Sequence, residues 1–461
     1  MKDQLQQENR NVSANVCPGE MPRFWNRSSI FFANLLSIFY GNEGETETLR
    51  KQVGGLETYG GRLIPIIDLL FRGGDNLLVL EVPPDEILLR HYSRELGLHI
   101  PKVEILPHKL YNNICGNHAT GDDVDEVIER IKNHPAHWID GFVTDKMLVD
   151  VAAFLDKKTT STPNGSRAGN NKFLLHQNLA DKGLPVFETV TAASYEDIFP
   201  CLRELSEKGF SKAVIKSQVG ASGIGLLKVF TDVEQTFDVP DYFFQEGPCL
   251  VQGWLDDSVQ GVKHIGSPSV QMFLDDNSVN LYDITEQILN SDSIHEGNVA
   301  PPSYVNSQND IKNELLEQGE EAGKWLHEQG YRGTASADFL VVDRVGNTQV
   351  IMCEINARVT GATYPSVLAR NFMPMGAWFM RNIRFQPSIR SERLMELLEK
   401  SGFFYRPGDK DGIIPINFNE AEEGLVHKGQ FLCLGAEMKD CVEKLEQIIT
   451  IFPMELDYDR D

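Results

Sequence analysis

The sequence predicts an α/β (α+β) protein of several lobes. Three observations carry this: short apolar runs bounded by glycine and polar turns, helical stretches between those runs, and 461 residues of ordinary globular composition. Hydrophobic residues make up 41% and charged residues 24% of the chain, which allows a large buried core. At about 100 to 200 residues per domain, the length predicts two to four domains or subdomains.

Residues 1–20 are polar and lack the apolar centre of a signal peptide, so they read as a flexible tail. The longest apolar stretch, 29–40, is shorter than the roughly 18 residues of a membrane span and carries Asn34. Residues 21–145 read as a small α/β domain. In it a turn over Arg72, Gly73, Gly74, Asp75 and Asn76 precedes the run LLVLEV from Leu77 to Val82, and a helical stretch opens at Pro83 and Pro84. An apolar run followed by a proline-started helix is the pattern of a buried parallel strand feeding a helix. The domain is expected to end near 145, where Thr144 or Asp145 can cap a helix over 146–155.

The stretch 157–171, KKTTSTPNGSRAGNN, has the composition of a linker or mobile loop. A helix over 172–182 follows, stopped by Gly183 and Pro185. Further α/β regions are expected over 186–255 and 270–370. The second contains a helix at 314–329 with Leu315, Ala322, Trp325 and Leu326 on one face. Beyond Pro387 come a charged helix, a glycine- and proline-containing loop at 406–412, a strand near 413–418 and a last helix near 438–449. There is no internal repeat.

The balance of 43 Lys and Arg against 67 Asp and Glu gives a net charge of −24, which excludes a broad nucleic-acid-binding surface. The seven cysteines are scattered without a CxxC pair. A disulfide framework or zinc ribbon is therefore not expected, and a reducing cytoplasm is. The 11 histidines form no HExxH or other ligand pattern, so surface and packing roles are expected for them.

Two segments carry chemistry. In 213–230, AVIKSQVGASGIGLLKVF, two strands flank a turn containing Gly220, Ser222, Gly223 and Gly225. Glycines let backbone N–H groups approach an anion, Ser222 adds a hydroxyl, and Lys216 can place an ammonium on the same phosphates. The segment has neither the Walker ending nor the GxGxxG spacing, and a hairpin that needs glycine only for its turn would look the same. In 335–361, two strands at 338–343 and 349–355 are joined by a turn at 344–347. Glu354 and Asn356 are two residues apart and share a face, Arg358 follows, and Asp338 opens the paired strand. Two carboxylates and an amide oxygen make a hard-oxygen set suited to Mg²⁺, and Arg358 can hold charge on a phosphoryl group or a carboxylate. A solvated sheet face with a chance ExNxR is the plain alternative.

Taken in order, Asn171 and Lys172, the Lys216 hairpin, LVQGWLDD at 250–257, Asp338 and the ExNxR of Glu354 to Arg358 resemble the ATP-grasp superfamily over roughly 157–370. The layout ahead of them resembles the pre-ATP-grasp domain of pheganomycin-type peptide ligases. The resemblance implies an ATP-grasp domain over 146–386 with its hinge near 250–257, and a C-terminal α/β extension over 387–461. Lys172 and Lys216 then match the nucleotide-contacting lysines, and Ser222 and Gly223 the mobile phosphate loop. Val251, Gln252, Gly253 and Trp254 match the hinge strand whose backbone meets adenine. Asp256 or Asp257 are the candidates for ribose, with Asp257 preferred. Asp338, Glu354 and Asn356 match the metal set, and Arg358 the active-site arginine. Where some relatives carry an arginine two residues before the first acidic ligand, this chain has Ser336, with Arg332 nearby but out of register.

The resemblance implies an ATP-dependent carboxylate–amine ligase that works through an acylphosphate with ADP and phosphate as products. ATP and Mg²⁺ are implied, with Mn²⁺ as an alternative. The implied partners are small-molecule or peptide substrates, without nucleic acid or membrane, and a homo-oligomer is compatible. The 157–171 stretch and the glycine hairpin are expected to act as lids. The competing readings are a kinase acting on an alcohol and a nucleotide-binding regulator.

Overall fold

The computed structural model describes residues 12–53, 55–115, 122–232, 237–257, 259–289, 295–422 and 424–452. Three sheets organise them. The first is parallel, with strands Lys102–Ile105, Leu77–Leu80, Ser29–Phe32, Trp138–Gly141 and Lys158–Thr159 in that spatial order. Leu77–Leu80 is buried throughout, as a central parallel strand covered on both faces must be. The helix after it begins at Glu86 rather than at the prolines, because the Asp85 carboxylate caps the amides of Ile87 and Leu88.

The domain boundary expected at 145 is corrected. Asp145 caps the helix Lys146–Phe154 as anticipated, but Leu148, Val151 and Leu155 pack into the core beneath the parallel sheet, and Lys158–Thr159 is that sheet's edge strand. The linker expected over 157–171 is corrected as well. It contains the helix Pro163–Ala168, and Thr160, Ser161, Ser166, Asn170 and Asn171 are all buried. Its small residues serve close packing: a Cβ at Gly165 would strike the backbone of Gly330 and Tyr331, and one at Gly169 would strike Ala357 and Leu326. A segment so enclosed is not a lid.

The second sheet is antiparallel, in the order Thr189–Ala192, Cys249–Gly253, Lys212–Lys216, Leu226–Phe230. The third runs from Val262–Gly266 through Gly333–Arg344, Pro268–Leu274, Ser278–Leu289, His295–Ala300, Ala377–Arg390 and Leu425–Gly435 to Gly412–Glu422, with Asn347–Asn356 paired to Gly333–Arg344. The boundary expected at 387 falls inside the strand Ala377–Arg390, so the C-terminal strands continue the large sheet instead of forming a separate extension. The tail expected over 1–20 is also corrected: Ser13–Val16 pairs in parallel with Ser278–Leu289, and Asn15 Nδ2 donates to Asn280 Oδ1 at 2.8 Å. Residues 1–11 lie outside the described residues. The helix Asn309–Glu328 buries Leu315, Ala322, Trp325 and Leu326 as its period predicts.

Among the described residues no helix is long and apolar enough to cross a membrane. Cys17, Cys201, Cys249, Cys353, Cys433 and Cys441 are free thiols.

A buried ion pair ties the large sheet to the helix Thr363–Phe372. Asp283 accepts two bonds from the Arg370 guanidinium, at 3.0 and 3.1 Å, and a third from Trp378 Nε1 at 3.0 Å, with both charged side chains at most 3% exposed. Removing one partner of such a pair leaves the other charge unmatched in the interior. Asp283→Asn should therefore destabilise the fold by about 3–5 kcal/mol, read as a lower denaturant midpoint, whereas replacing Asp283 and Arg370 together by Leu and Met should cost less.

Candidate active site

The hairpin of Lys212–Lys216 and Leu226–Phe230 carries its glycine turn over the end of the large sheet. At the tip Ser222 and Gly223 are exposed and in the left-handed region, φ 55° and 79°. The base is fixed. Lys172 N donates to Gln218 O at 2.8 Å, Asn171 Nδ2 to Gln218 Oε1 at 2.9 Å, and Ser217 Oγ to Glu45 Oε1 at 2.7 Å. A Cβ at Gly225 would collide with both Ser217 and Glu45, so the position requires glycine. The arrangement is a free tip on an anchored base.

Beneath it, Asp338 and Glu354 face each other directly across the antiparallel pair. The register shifts here, with Asp338 opposite Glu354 and Phe339 opposite Met352, so that Cys353 is the extra residue of a bulge. Asn356 Nδ2 bridges the two acids, 2.9 Å from Asp338 Oδ2 and 3.5 Å from Glu354 Oε1. The expected carboxylate–amide–carboxylate cluster is thus assembled. Burial and the Glu354 charge push the Asp338 carboxyl up, against hydrogen bonds from Ser269 and Gln287. Burial would also raise Glu354, but the charges of Lys172 and Arg358 outweigh it and hold that carboxylate ionised.

Three cations converge on these acids. Lys172 Nζ lies 3.1 Å from Glu354 Oε2 and 3.3 Å from Gly220 O, joining the acidic strand to the glycine turn. Burial lowers the Lys216 pKa, partly offset by Cys353 and Glu354, and its ammonium stands 5.6 Å from the centre of the Phe187 ring. Arg358 Nη1 donates to Asn170 Oδ1. Asn170 is itself held through its Nδ2, which donates to Ser166 O at 2.7 Å, Tyr40 Oη at 3.1 Å and Ala357 O at 3.3 Å. Burial drives the Tyr40 phenol up to about 12, so it remains a neutral partner in this network.

The hinge residues fare differently. Val251 and Gln252 lie in the middle strand of the small sheet, paired on both sides, so their backbone groups are taken up in the ladder. Gly253 N donates to Glu188 O, Trp254 N to Lys212 O, and the Gln252 amide to Thr189 Oγ1 at 3.0 Å. In this arrangement the backbone of Val251 and Gln252 and the amides of Gly253 and Trp254 are already hydrogen-bonded within the protein. Asp257 Oδ1 accepts from His264 N at 2.7 Å and closes a turn, while Asp256 Oδ2 accepts from Trp254 Nε1 at 2.7 Å. Arg332 is spent on the end of the long helix, donating to His327 O and Tyr331 O, and is not available to the acids.

Sequence reasoning missed Glu45, Tyr40 and Asn170. The first two come from the N-terminal lobe, and no local pattern marks them; Asn170, next to Asn171, was absorbed into the apparent linker.

Two carboxylates bridged by an amide, with three cations around them and an exposed glycine tip opposite, fit a divalent cation and the phosphates it would accompany. Among the described residues, no group of three or more His, Cys, Asp or Glu is arranged to hold a metal ion, so a cation here would rely on the two carboxylates and the Asn356 amide.

No protein-family model matches the chain. It is 29% identical over 200 residues to a butirosin acyl-carrier protein–L-glutamate ligase of Niallia circulans, a match covering 42% of this chain and 44% of that protein. The matched region thus spans less than half the length of that curated relative. Among solved structures, the chain resembles N5-carboxyaminoimidazole ribonucleotide synthetase of Thermus thermophilus with a TM-score of 0.55 and 12% identity, covering 92% of this chain and 99% of that one. It resembles a biotin carboxylase of Campylobacter jejuni with a TM-score of 0.58 and 13% identity, covering 92% and 91%. At these identities the likeness establishes the fold.

Glu45 supplies a pH test of how the N-terminal lobe meets the hairpin. Burial raises its carboxyl from 4.5 to about 7, opposed by the Ser217 hydrogen bond and the Lys172 charge. The folded state then binds a proton that the unfolded state has lost, so this group's contribution to stability falls as pH rises from about 4.5 through about 7. Glu45→Gln should flatten that part of the melting-temperature profile; an unchanged slope would contradict it.

Proposed function

We propose that this chain, which carries the ATP-grasp fold, is an ATP-dependent ligase joining a carboxylate to an amine through an acylphosphate. The observation that carries the reading is the convergence of Lys172, Lys216 and Arg358 on Asp338, Glu354 and Asn356 beneath an anchored glycine turn. That set has cations for a triphosphate and acids for a metal. The neighbouring Cys353 thiol is pushed up to about 12, chiefly by burial, which makes it a poor nucleophile.

Asp338, Glu354 and Asn356 would hold Mg²⁺, or Mn²⁺, which when bound neutralises charge on the β- and γ-phosphates. ATP is consumed as a substrate. Lys172, now paired with Glu354 and the Gly220 carbonyl, turns to phosphate oxygens, and Lys216 adds a second ammonium from the opposite sheet. Ser222 and Gly223 at the exposed tip donate to the phosphates and close over them, which excludes water from the reactive intermediate. Arg358, oriented by Asn170, holds charge that develops when the substrate carboxylate attacks the γ-phosphorus and ADP leaves. An amine then attacks the acyl carbon and expels phosphate. Adenine would lie beyond Trp254, with Asp256 and Asp257 at the same end of the small sheet.

The Niallia relative is by name a ligase of an acyl-carrier protein and L-glutamate, and its likeness supports activation of a carboxylate. The ATP-grasp fold supports the same chemistry, since the solved structures it resembles include a complex with ATP and others with ADP.

The purified chain with Mg²⁺ and ATP should release ADP and phosphate only when a carboxylate and an amine are both supplied from a panel of amino acids and peptides. Glu354→Gln and Lys216→Met should each lower turnover by about 100-fold or more, as expected when phosphoryl-transfer charge stabilisation is lost. AMP with pyrophosphate would overturn the acylphosphate route, a phosphorylated alcohol would indicate a kinase, and nucleotide binding without turnover would indicate a regulator.

A further inference from the structure

The C-terminal strands carry a polar face that their place in the large sheet does not explain. Across Ala377–Arg390, Leu425–Gly435 and Gly412–Glu422, Asn382, Gln430 and Asn417 stand in one row, and Arg384, Lys428 and Asn419 in the next. Arg384 and Lys428 are directly opposite each other, an arrangement of like charges that destabilises a sheet unless something neutralises it. From the N-terminal lobe Arg62, only 5% exposed, reaches the same row: its Nη2 is 3.4 Å from Asn419 Oδ1, and its guanidinium lies over the Tyr59 ring at 3.6 Å. Among the described residues, Arg62, Arg384 and Lys428 form no ion pair with a carboxylate, and the buried Arg62 Nε has no hydrogen-bond partner.

Among the described residues, three cations thus gather without an ion-paired carboxylate in a chain of net charge −24. Burial, followed by the charges of Arg62 and Arg384, lowers the Lys428 pKa to about 8, the mark of a group whose counter-charge is missing. The cluster also borders the catalytic end of the molecule, because the buried Tyr364 feels the charges of both Arg62 and Arg358.

We propose that Arg62, Arg384 and Lys428 form a binding site for an anionic group of the substrate other than the carboxylate that is activated, so that the enzyme selects substrates carrying a second carboxylate or a phosphate. This rests on the ligase reading for its place beside Arg358, but the anion site itself can be tested without turnover. The site would be unfavourable when empty and would gain from a ligand anion shared among three donors. Arg62 and Tyr59 come from the N-terminal lobe and Lys428 from the large sheet, so the bound anion would also hold those lobes together.

The test is a calorimetric titration of the full chain, saturated with ADP, using succinate, butyrate and inorganic phosphate, on the wild type and on Arg384→Gln and Lys428→Met. Circular dichroism confirms that each variant is folded. Succinate should bind at least 10-fold more tightly than butyrate, and each substitution should remove most of that difference. Phosphate binding weakened by the same substitutions, without succinate binding, also supports the site and assigns it a phosphorylated substrate. Binding of neither anion, or binding that both substitutions leave intact, overturns the proposal. In the ADP-release assay, the rate ratio of acidic substrates to their amides should fall at least 10-fold in both variants. If no substrate releases ADP, the ligase reading fails while the titration still decides the anion site.

Discussion

Two acids that face each other across one antiparallel pair set the terms for the rest of the molecule. Asp338 and Glu354 stand half-buried and close together, and their repulsion is contained by the Asn356 amide between them and by Lys172 reaching in from another element. Such a pair is costly in a folded protein unless cations surround it. The surrounding architecture supplies them: the helix Lys172–Asp181 begins where its first residue can touch both Glu354 and the glycine turn, and the second sheet places Lys216 across the gap. The bulge at Cys353 lets an acid and an acid meet where an unbroken register would not bring them opposite.

The N-terminal lobe contributes to the candidate site as well as neighbouring it. Glu45 grips the base of the glycine hairpin, Tyr40 steadies the asparagine that orients Arg358, and Arg62 extends over the C-terminal strands. These contacts join segments between 130 and 357 residues apart in sequence. They explain why much of the polar stretch 157–171 is enclosed: Ser161, Ser166, Asn170 and Asn171 are buried and hydrogen-bonded rather than solvated, while Asn164 stays exposed.

The net charge of −24 is consistent with such a site because the relevant field is local. A triphosphate bound as proposed would meet Lys172, Lys216 and Arg358 at short range, where pairwise distances matter more than the sum over the chain. Of the other acids, exposed side chains such as Glu47, Glu396 and Glu437 pair with neighbouring lysines and arginines and contribute little to the fold.

What the sequence determined by itself was local in origin. The 3.6-residue period of Asn309–Glu328, the buried run at Leu77–Leu80, the hairpin around Gly220 to Gly225 and the two-residue spacing of Glu354 and Asn356 all follow from rules that act within one or two neighbouring elements, and each stands in the structure as read. The ATP-grasp fold was legible because several such motifs recur in a set order. Composition misled where it was taken for exposure: 157–171 and the residues from Ser13 onward are polar yet paired or buried, since a polar side chain can be satisfied inside a protein as well as in water. Tertiary structure alone decided which distant side chains complete the site. Glu45, Tyr40 and Asn170 reach it through contacts that no local pattern marks, the backbone of Val251 and Gln252 is taken up by a ladder that only strand order reveals, and Arg332 is claimed by the end of a helix. Spacing along a chain fixes directions within an element, whereas burial and partnership depend on which elements are brought together.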